Sequence, residues 1–423
     1  MLQLQVLSQD PEWVKERLTI KNFKDVQLVD SILELHEQRK KYTFQYDETK
    51  ALINAASKSI GQLMAKGAKA AAEEKKKEVE QLKKTLVSIE PLLSDVEKNL
   101  HDQLVQLPNL PAKEVPPGKT PEENVVVREG GNLPKLPEQA LPHWELTKKY
   151  DIIDFELGTK ITGSGFPVYK GKGAKLQRSL IQYFLDFNTA AGYQEIQPPL
   201  MVSEASAFGT GQLPDKEGQM YHATEDNFYL IPTSEVPLTN IYRDEMMKET
   251  SLPVKMTAFT PCFRREAGSY GKDVRGLNRL HQFDKVEIVQ ITHPDKSYET
   301  LDEMVKHVEK LLISLELPYR ILRLCGGDMG FASAITYDFE VYSAAQEKWL
   351  EVSSVSNFET YQSNRMKVRF KDAEGKTKLV HTLNGSSLAL PRILACLLEN
   401  NQAAEGIHLP ACLHEYFGSD VLM

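Results

Sequence analysis

The sequence predicts an α+β protein. An N-terminal antiparallel two-helix coiled-coil arm over residues 1–105 leads through a linker, 106–145, into a domain over 146–423 built on an antiparallel β-sheet flanked by helices. Three observations carry this. Apolar residues recur at four-three spacing through two long runs near the start. A proline-rich, charged stretch follows. Beyond it, short β-like segments alternate with irregular loops.

The first helical run passes through Ile32, Leu35, Arg39, Tyr42, Tyr46, Thr49, Ile53, Ala56, Ile60 and Leu63. The second passes through Val79, Leu82, Leu86, Ile89, Leu93, Val96 and Leu100. Such spacing keeps one narrow seam facing a partner helix. Two runs of similar length, separated by MAKGAKAAAEEKKK, favour a hairpin with its turn near 66–72 and Gly67 as the break. An intermolecular coiled coil is the alternative. Pro91 is expected to interrupt or kink the second helix. Residues 66–84 hold seven lysines (Lys66, Lys69, Lys75, Lys76, Lys77, Lys83 and Lys84) against four glutamates. Helix lysines ordinarily only solubilise, but a projecting basic tip also suits an RNA backbone.

The 423 residues are 41% hydrophobic and 26% charged, an ordinary globular composition with room for two or three domains. No run reaches the length of a membrane span, and MLQLQVLSQD lacks the basic-then-apolar order of a leader. Cys262, Cys325, Cys396 and Cys412 are scattered without a C-x-x-C pair, which argues for reduced thiols and a cytoplasmic location. The net charge of −8 gives no bulk attraction to nucleic acid, so DNA is not an expected partner and any RNA must meet a local patch. The linker LPNLPAKEVPPGKTPEENVVVREGG precedes a helix expected over 174–190. Strands are expected over 193–201, 228–231, 259–265, 280–289, 339–342 and 350–356. Neither G-x-G-x-x-G nor G-x-x-x-x-G-K-[ST] appears where a nucleotide fold would need it.

Chemistry concentrates between Cys262 and Val289. Arg264 and Glu266 end one apolar segment, and a Gly-rich, charged loop leads to the next. Alternation places Arg279, Phe283 and Glu287 on one face of an extended strand. Two arginine forks suit phosphate oxygens, and a phenylalanine face can stack on a base. A solvated cross-strand ladder of ion pairs is the plainer reading. After the strand-like FYLI, Thr233-Ser234-Glu235 offers hydroxyls and a carboxylate. Glu235 and Glu287 together would hold an ammonium group, although Ser/Thr before Glu also caps helices. Glu351-Val352-Ser353-Ser354 ends another strand and supplies hard oxygen ligands for a divalent cation. Arg392 lies within the apolar LALPRILACLLEN, where it must pair with a carboxylate or face a ligand anion.

FRREAG…RGLNRLHQFDKVE resembles motif 2 of class II aminoacyl-tRNA synthetases. GYQEIQPPLM, with Pro199, resembles motif 1, and LNGSSLALPRILACLLEN motif 3. Thr233-Ser234-Glu235, HQFDKVE and EVSSVSNF narrow the resemblance to seryl-tRNA synthetases of the bacterial type, over nearly the whole chain. The resemblance implies ATP and Mg2+ as cofactors, with Arg264 and Arg392 as the catalytic residues. Arg264 would hold the α-phosphate and Glu266 would meet the adenine side. Phe283 would stack on adenine, and Arg279 and Arg392 would flank the triphosphate. Glu351 and Ser354 would support magnesium, with Val352 and Ser353 beside them on the ATP wall. Arg265 falls in the same ATP-binding stretch but stands where the family commonly has a small residue. Thr233, Ser234, Glu235, Glu287, Asn384 and Ser386, with Arg264, would line a pocket for L-serine. The resemblance further implies a homodimer, tRNA(Ser) bound by the arm, and tRNA(Sec) as a further candidate acceptor. An amino acid:carrier-protein ligase would generally lack the arm, and an inactive RNA-binding paralogue would be expected to have lost Arg264, Glu266, Glu287 or Arg392.

Overall fold

The computed structural model describes residues 1–266 and 275–423; the Gly-rich part of the expected hairpin loop, 267–274, lies outside the described residues. Two compact units emerge: Met1–Thr19 with Phe23–Pro108, and Ile20–Asn22 with Asn109–Met423.

In the first unit two long helices run antiparallel, α1 (Leu28–Ala65) and α2 (Lys69–Leu104). At 1.5 Å per residue each is about 55 Å long. Every seam position in both apolar runs is at least partly buried, with Ile32, Thr49, Ala56, Val79, Ile89, Val96 and Leu100 fully so. The four-three spacing thus does what it must, keeping one seam turned to the facing helix. The chain reverses through Lys66-Gly67-Ala68, where Gly67 takes φ +75°, a left-handed conformation glycine adopts without a Cβ penalty. Pro91 does not interrupt α2 as expected; the helix runs through it with the ring on the exposed face. At the tip, Lys75 pairs with Glu78, Lys76 with Glu73 (2.5 Å) and Lys84 with Glu80 (3.9 Å). Lys66, Lys69, Lys77 and Lys83 are exposed.

The second unit is organised by an eight-stranded sheet. Its strands are β1 (Val125–Gly130), β2 (Gln194–Glu195), β3 (Val254–Phe263), β4 (Gln282–Thr292), β5 (Tyr319–Arg323), β6 (Ile335–Ser343), β7 (Lys348–Asn357) and β8 (His381–Ala389). Their order is β1-β5-β6-β7-β8-β4-β3-β2, antiparallel throughout except that β2 runs parallel to β3. Helices α4 (Gly171–Ala190), α6 (Ser297–Ser314) and α8 (Leu390–Asn400) pack against this sheet; α3 (His143–Lys149) lies against α8. Two short helices, α5 (Glu235–Asn240) and α7 (Tyr361–Met366), complete the surroundings of the site.

Strand β4 shows how the sheet separates core from chemistry. Val286 and Ile288 enter the main apolar core with residues of α4, α6 and α8. Phe283, Lys285 and Glu287 alternate onto the opposite face. Farther along, that second face becomes apolar too, with Val289 and Ile291 in a separate core cluster. A polar pocket therefore occupies only the first half of the strand.

Candidate active site

A cleft of about 1010 Å³ opens over one face of β4, β5, β6, β7 and β8, just beyond the end of β3 and beside the starts of α5 and α8. Strands β3 and β4 pair with Cys262 opposite Phe283 and Ala258 opposite Glu287. This register carries Arg264 and Glu266 past the end of β3 and brings Arg264 beside Phe283. Arg279 departs from expectation. It precedes β4, in the irregular segment 275–281, because Leu277 and Leu280 both turn inward to the core and break the alternation. It still reaches the cleft, donating to Glu266 Oε2 at 2.9 Å.

At one end of the cleft the residues are buried and tightly connected. Glu287, 1% exposed, receives Lys285 Nζ at 2.6 Å, with Asn384 Nδ2 at 3.3 Å and Ser386 Oγ at 3.4 Å. Lys285, also buried, donates to Thr233 Oγ1 at 2.9 Å. Ser353 Oγ donates to the Ser386 carbonyl at 2.6 Å, linking β7 to β8. Glu235 opens α5, and its Oε1 receives Gln362 Nε2 at 2.6 Å; the same amide group also donates to the Thr210 carbonyl at 3.1 Å. Burial pushes the Glu235 carboxyl from its ordinary 4.5 to about 7, with Gln362 opposing the rise and Glu287 adding to it.

That shift has a sign. Below pH ~4.5 Glu235 is protonated in both folded and unfolded chains. Between ~4.5 and ~7 the folded chain keeps a proton that the unfolded chain releases, so stability falls as pH rises through this window, by ~3 kcal/mol. Glu235→Gln is expected to flatten that part of the stability profile, measured by urea unfolding at pH 5, 6 and 7. An unchanged slope would mean that other groups set it.

The other end is more open. The Arg264 guanidinium lies 5.2 Å from the centre of the Phe283 ring, and its Nε donates to the Pro232 carbonyl at 3.4 Å. Arg264 N bonds the His281 carbonyl at 2.9 Å, which fixes the backbone just beyond β3. Arg392 Nε donates to the Asn278 carbonyl at 3.1 Å and Nη1 to the Glu351 carbonyl at 2.6 Å, with the Glu351 carboxylate 3.7 Å away. Ser354 Oγ donates to Asp338. Burial, and then the neighbouring Glu351, hold the Asp338 carboxyl well above the usual range. These hard oxygens fit a magnesium ion. Among the described residues no cluster of three His, Cys, Asp or Glu forms a protein cage, so such an ion would draw most ligands from phosphate and water.

Of the expected site residues, Thr233, Glu235, Arg264, Glu266, Arg279, Phe283, Glu287, Glu351, Val352, Ser353, Ser354, Asn384, Ser386 and Arg392 all line the cleft. Ser234 and Arg265 do not. Ser234 is fully buried at the start of α5, and Arg265 is exposed, its backbone N–H bound to the Gln219 carbonyl. The basic lysines belong to the other unit. Lys285, Gln362 and Asp338 were missed. Lys285 shares the alternation of Phe283 and Glu287 and was readable from it; Gln362 meets Glu235 across 127 residues of chain, which leaves no local signal.

Residues 219–401 match the class II tRNA synthetase core domain (G, H, P, S and T), and residues 1–111 the seryl-tRNA synthetase N-terminal domain. The chain is 47% identical to a serine–tRNA ligase of Salinibacter ruber over 99% of its own length and 98% of the relative's. The fold is similar to seryl-tRNA synthetase from Pyrococcus horikoshii complexed with ATP, at TM-score 0.93, 30% identity, and coverage of 100% of this chain and 99% of that one. It is also similar to cytoplasmic serine-tRNA ligase from Naegleria fowleri in complex with AMP, at TM-score 0.88, 28% identity, and coverage of 100% and 98%. With the coiled-coil arm, the antiparallel sheet and a cleft lined by residues of motifs 2 and 3, the chain belongs to the seryl-tRNA synthetase family of class II aminoacyl-tRNA synthetases.

Proposed function

We propose that the chain is a serine–tRNA ligase, which activates L-serine with ATP to seryl-adenylate and transfers serine to the 3′ end of tRNA(Ser), with tRNA(Sec) as a further candidate acceptor. The observation that carries this reading is the charge makeup of one cleft, lined both by the buried carboxylates Glu235 and Glu287 and by the less buried arginines Arg264, Arg279 and Arg392.

The serine ammonium would lie between Glu235 and Glu287, and its hydroxyl would meet Thr233, Asn384 or Ser386. Buried polar groups that lose partners with alanine reject it strongly, and a small pocket rejects threonine by size. The serine carboxylate then attacks the α-phosphorus in line, and pyrophosphate leaves. No side-chain nucleophile is required; catalysis is positioning and stabilisation of developing phosphate charge by Arg264 and Arg392. Phe283 offers its ring to adenine, and Glu266 a carboxylate at the adenine side. Glu351 and Ser354 would hold magnesium, which neutralises triphosphate charge when bound.

The exposed lysines of the arm tip would meet the tRNA backbone by charge. Leu200 and Met201, which end the motif 1 segment, and Phe228, on the strand paired with Met201–Ser203, are exposed apolar side chains, and a second copy of the chain would cover them in a homodimer. Among the described residues no helix is long and apolar enough to cross a membrane, and a cytoplasmic location accords with the reduced cysteines.

Pyrophosphate exchange with each amino acid in turn tests the reading. Exchange is expected with serine alone, and exchange driven by alanine or glycine instead would overturn the pocket assignment. Deleting about residues 30–100 is expected to spare exchange and abolish tRNA charging. Near-normal charging by the truncated chain would overturn the role of the arm.

A further inference from the structure

The segment 275–281 carries Arg279 and presents the Asn278 carbonyl to Arg392, yet it begins immediately after residues 267–274 and belongs to no helix or strand. What holds it is a buried polar cluster away from the cleft. His143, at the start of α3, is fully buried, as is Glu399 near the end of α8. Leu277 N–H donates to His143 Nε2 at 2.9 Å. That bond makes Nε2 the acceptor, so the ring proton sits on Nδ1 and is donated to Glu399 Oε1 at 2.7 Å. Glu399 also receives the His143 backbone N–H, Gln346 Nε2 at 2.9 Å, and the Ser343 hydroxyl. Gln346 Oε1 in turn receives Asn278 Nδ2 at 3.0 Å. Gly276 passes so close that a Cβ there would stand 2.1 Å from His143 Nε2, and its φ is +65°.

We propose that His143 and Glu399 are positioning residues for nucleotide binding. Glu399 fixes the His143 tautomer, and His143 holds the turn at Leu277 so that Arg279 and the Asn278–Arg392 contact face the cleft. Arg392 and Glu399 lie seven residues apart, two turns of α8, so one helix face supports the turn from both sides. The proposal rests on the assignment of Arg279 and Arg392 to the ATP end.

Two substitutions at His143 separate this role from simple packing. In His143→Gln the amide oxygen takes the place of Nε2 and can still accept from Leu277 N–H, while the bond to Glu399 is lost. In His143→Asn the amide nitrogen takes the place of Nδ1 and still donates to Glu399, while the turn is released. Serine-dependent pyrophosphate exchange is expected to show KM for ATP at least about tenfold higher in His143→Asn, with KM for serine within about twofold of the unaltered protein. His143→Gln is expected to stay near the unaltered KM for ATP. Equal losses in both variants, or an unchanged KM for ATP in His143→Asn, would overturn the proposal. Gly276→Ala leaves both His143 and Glu399 in the chain but drives a Cβ against His143 Nε2, at a position of positive φ, and so forces the turn away from the ring. It is expected to reproduce the selective rise in KM for ATP and decides the matter if His143→Asn does not fold. Arg279→Ala reports on the assignment of the ATP end by itself: if it leaves KM for ATP unchanged, that assignment fails, whatever the His143 variants do.

Discussion

Arg264→Ala is expected to lower serine-dependent pyrophosphate exchange by about 10²–10³, or ~3–4 kcal/mol of transition-state stabilisation, the cost of losing a preorganised group at developing charge. The magnitude follows from how little else the side chain does. Among the described residues its side chain makes one hydrogen bond, a long one of 3.4 Å to the Pro232 carbonyl, and its guanidinium otherwise rests near the Phe283 ring. Its backbone is held independently by the His281 carbonyl, so truncation leaves the path of the chain beyond β3 intact. Thermal stability should therefore change by less than ~1 kcal/mol. Arg264→Lys keeps a charge but loses the planar fork that meets two phosphate oxygens at once, and it should recover only part of the rate. Exchange within about threefold of the unaltered protein in Arg264→Ala would remove Arg264 from the catalytic step.

The arm and the hairpin were legible because their periods are simple. A seam repeating every three and four residues must face another helix, and every position it named is turned inward at least in part. Alternation on β4 correctly joined Phe283 to Glu287, and the same rule contained Lys285, which escaped notice because a lysine between two site residues reads as solvated. The rule was carried too far at Arg279. Leu277 and Leu280 are three residues apart and both buried, and Gly276 adopts positive φ, so the chain turns there instead of extending. Ser234 and Arg265 show the converse error, in which a residue inside a motif is assumed to face the same way as its neighbours. Gln362, Asp338 and the His143–Glu399 pair depend on contacts between distant segments, and no local pattern announces them.

Glu287→Ala is expected to do two separable things. It leaves Lys285, 6% exposed and 2.6 Å from the missing carboxylate, as an uncompensated buried charge, which costs about 3–5 kcal/mol of stability. It also removes an anionic partner of the serine ammonium, worth about 1.5–3 kcal/mol, so KM for serine should rise about 10- to 150-fold while KM for ATP stays near its starting value. The double variant Lys285→Met, Glu287→Ala distinguishes the two effects. With no charge left to strand, and a methionine filling most of the lysine's volume, stability should largely return. Serine binding should not, because the ammonium still lacks its carboxylate. Thr233 loses the Lys285 donor in that variant, but its hydroxyl still accepts from the Glu235 backbone N–H at 3.3 Å and stays in the pocket. If the double variant regained both stability and serine affinity, the selectivity of Glu287→Ala would reflect a collapsed pocket and not a lost contact. If KM for ATP rose in step with KM for serine, Glu287 would serve the cleft as a whole, and the division between its buried acidic end and its arginine end would not hold.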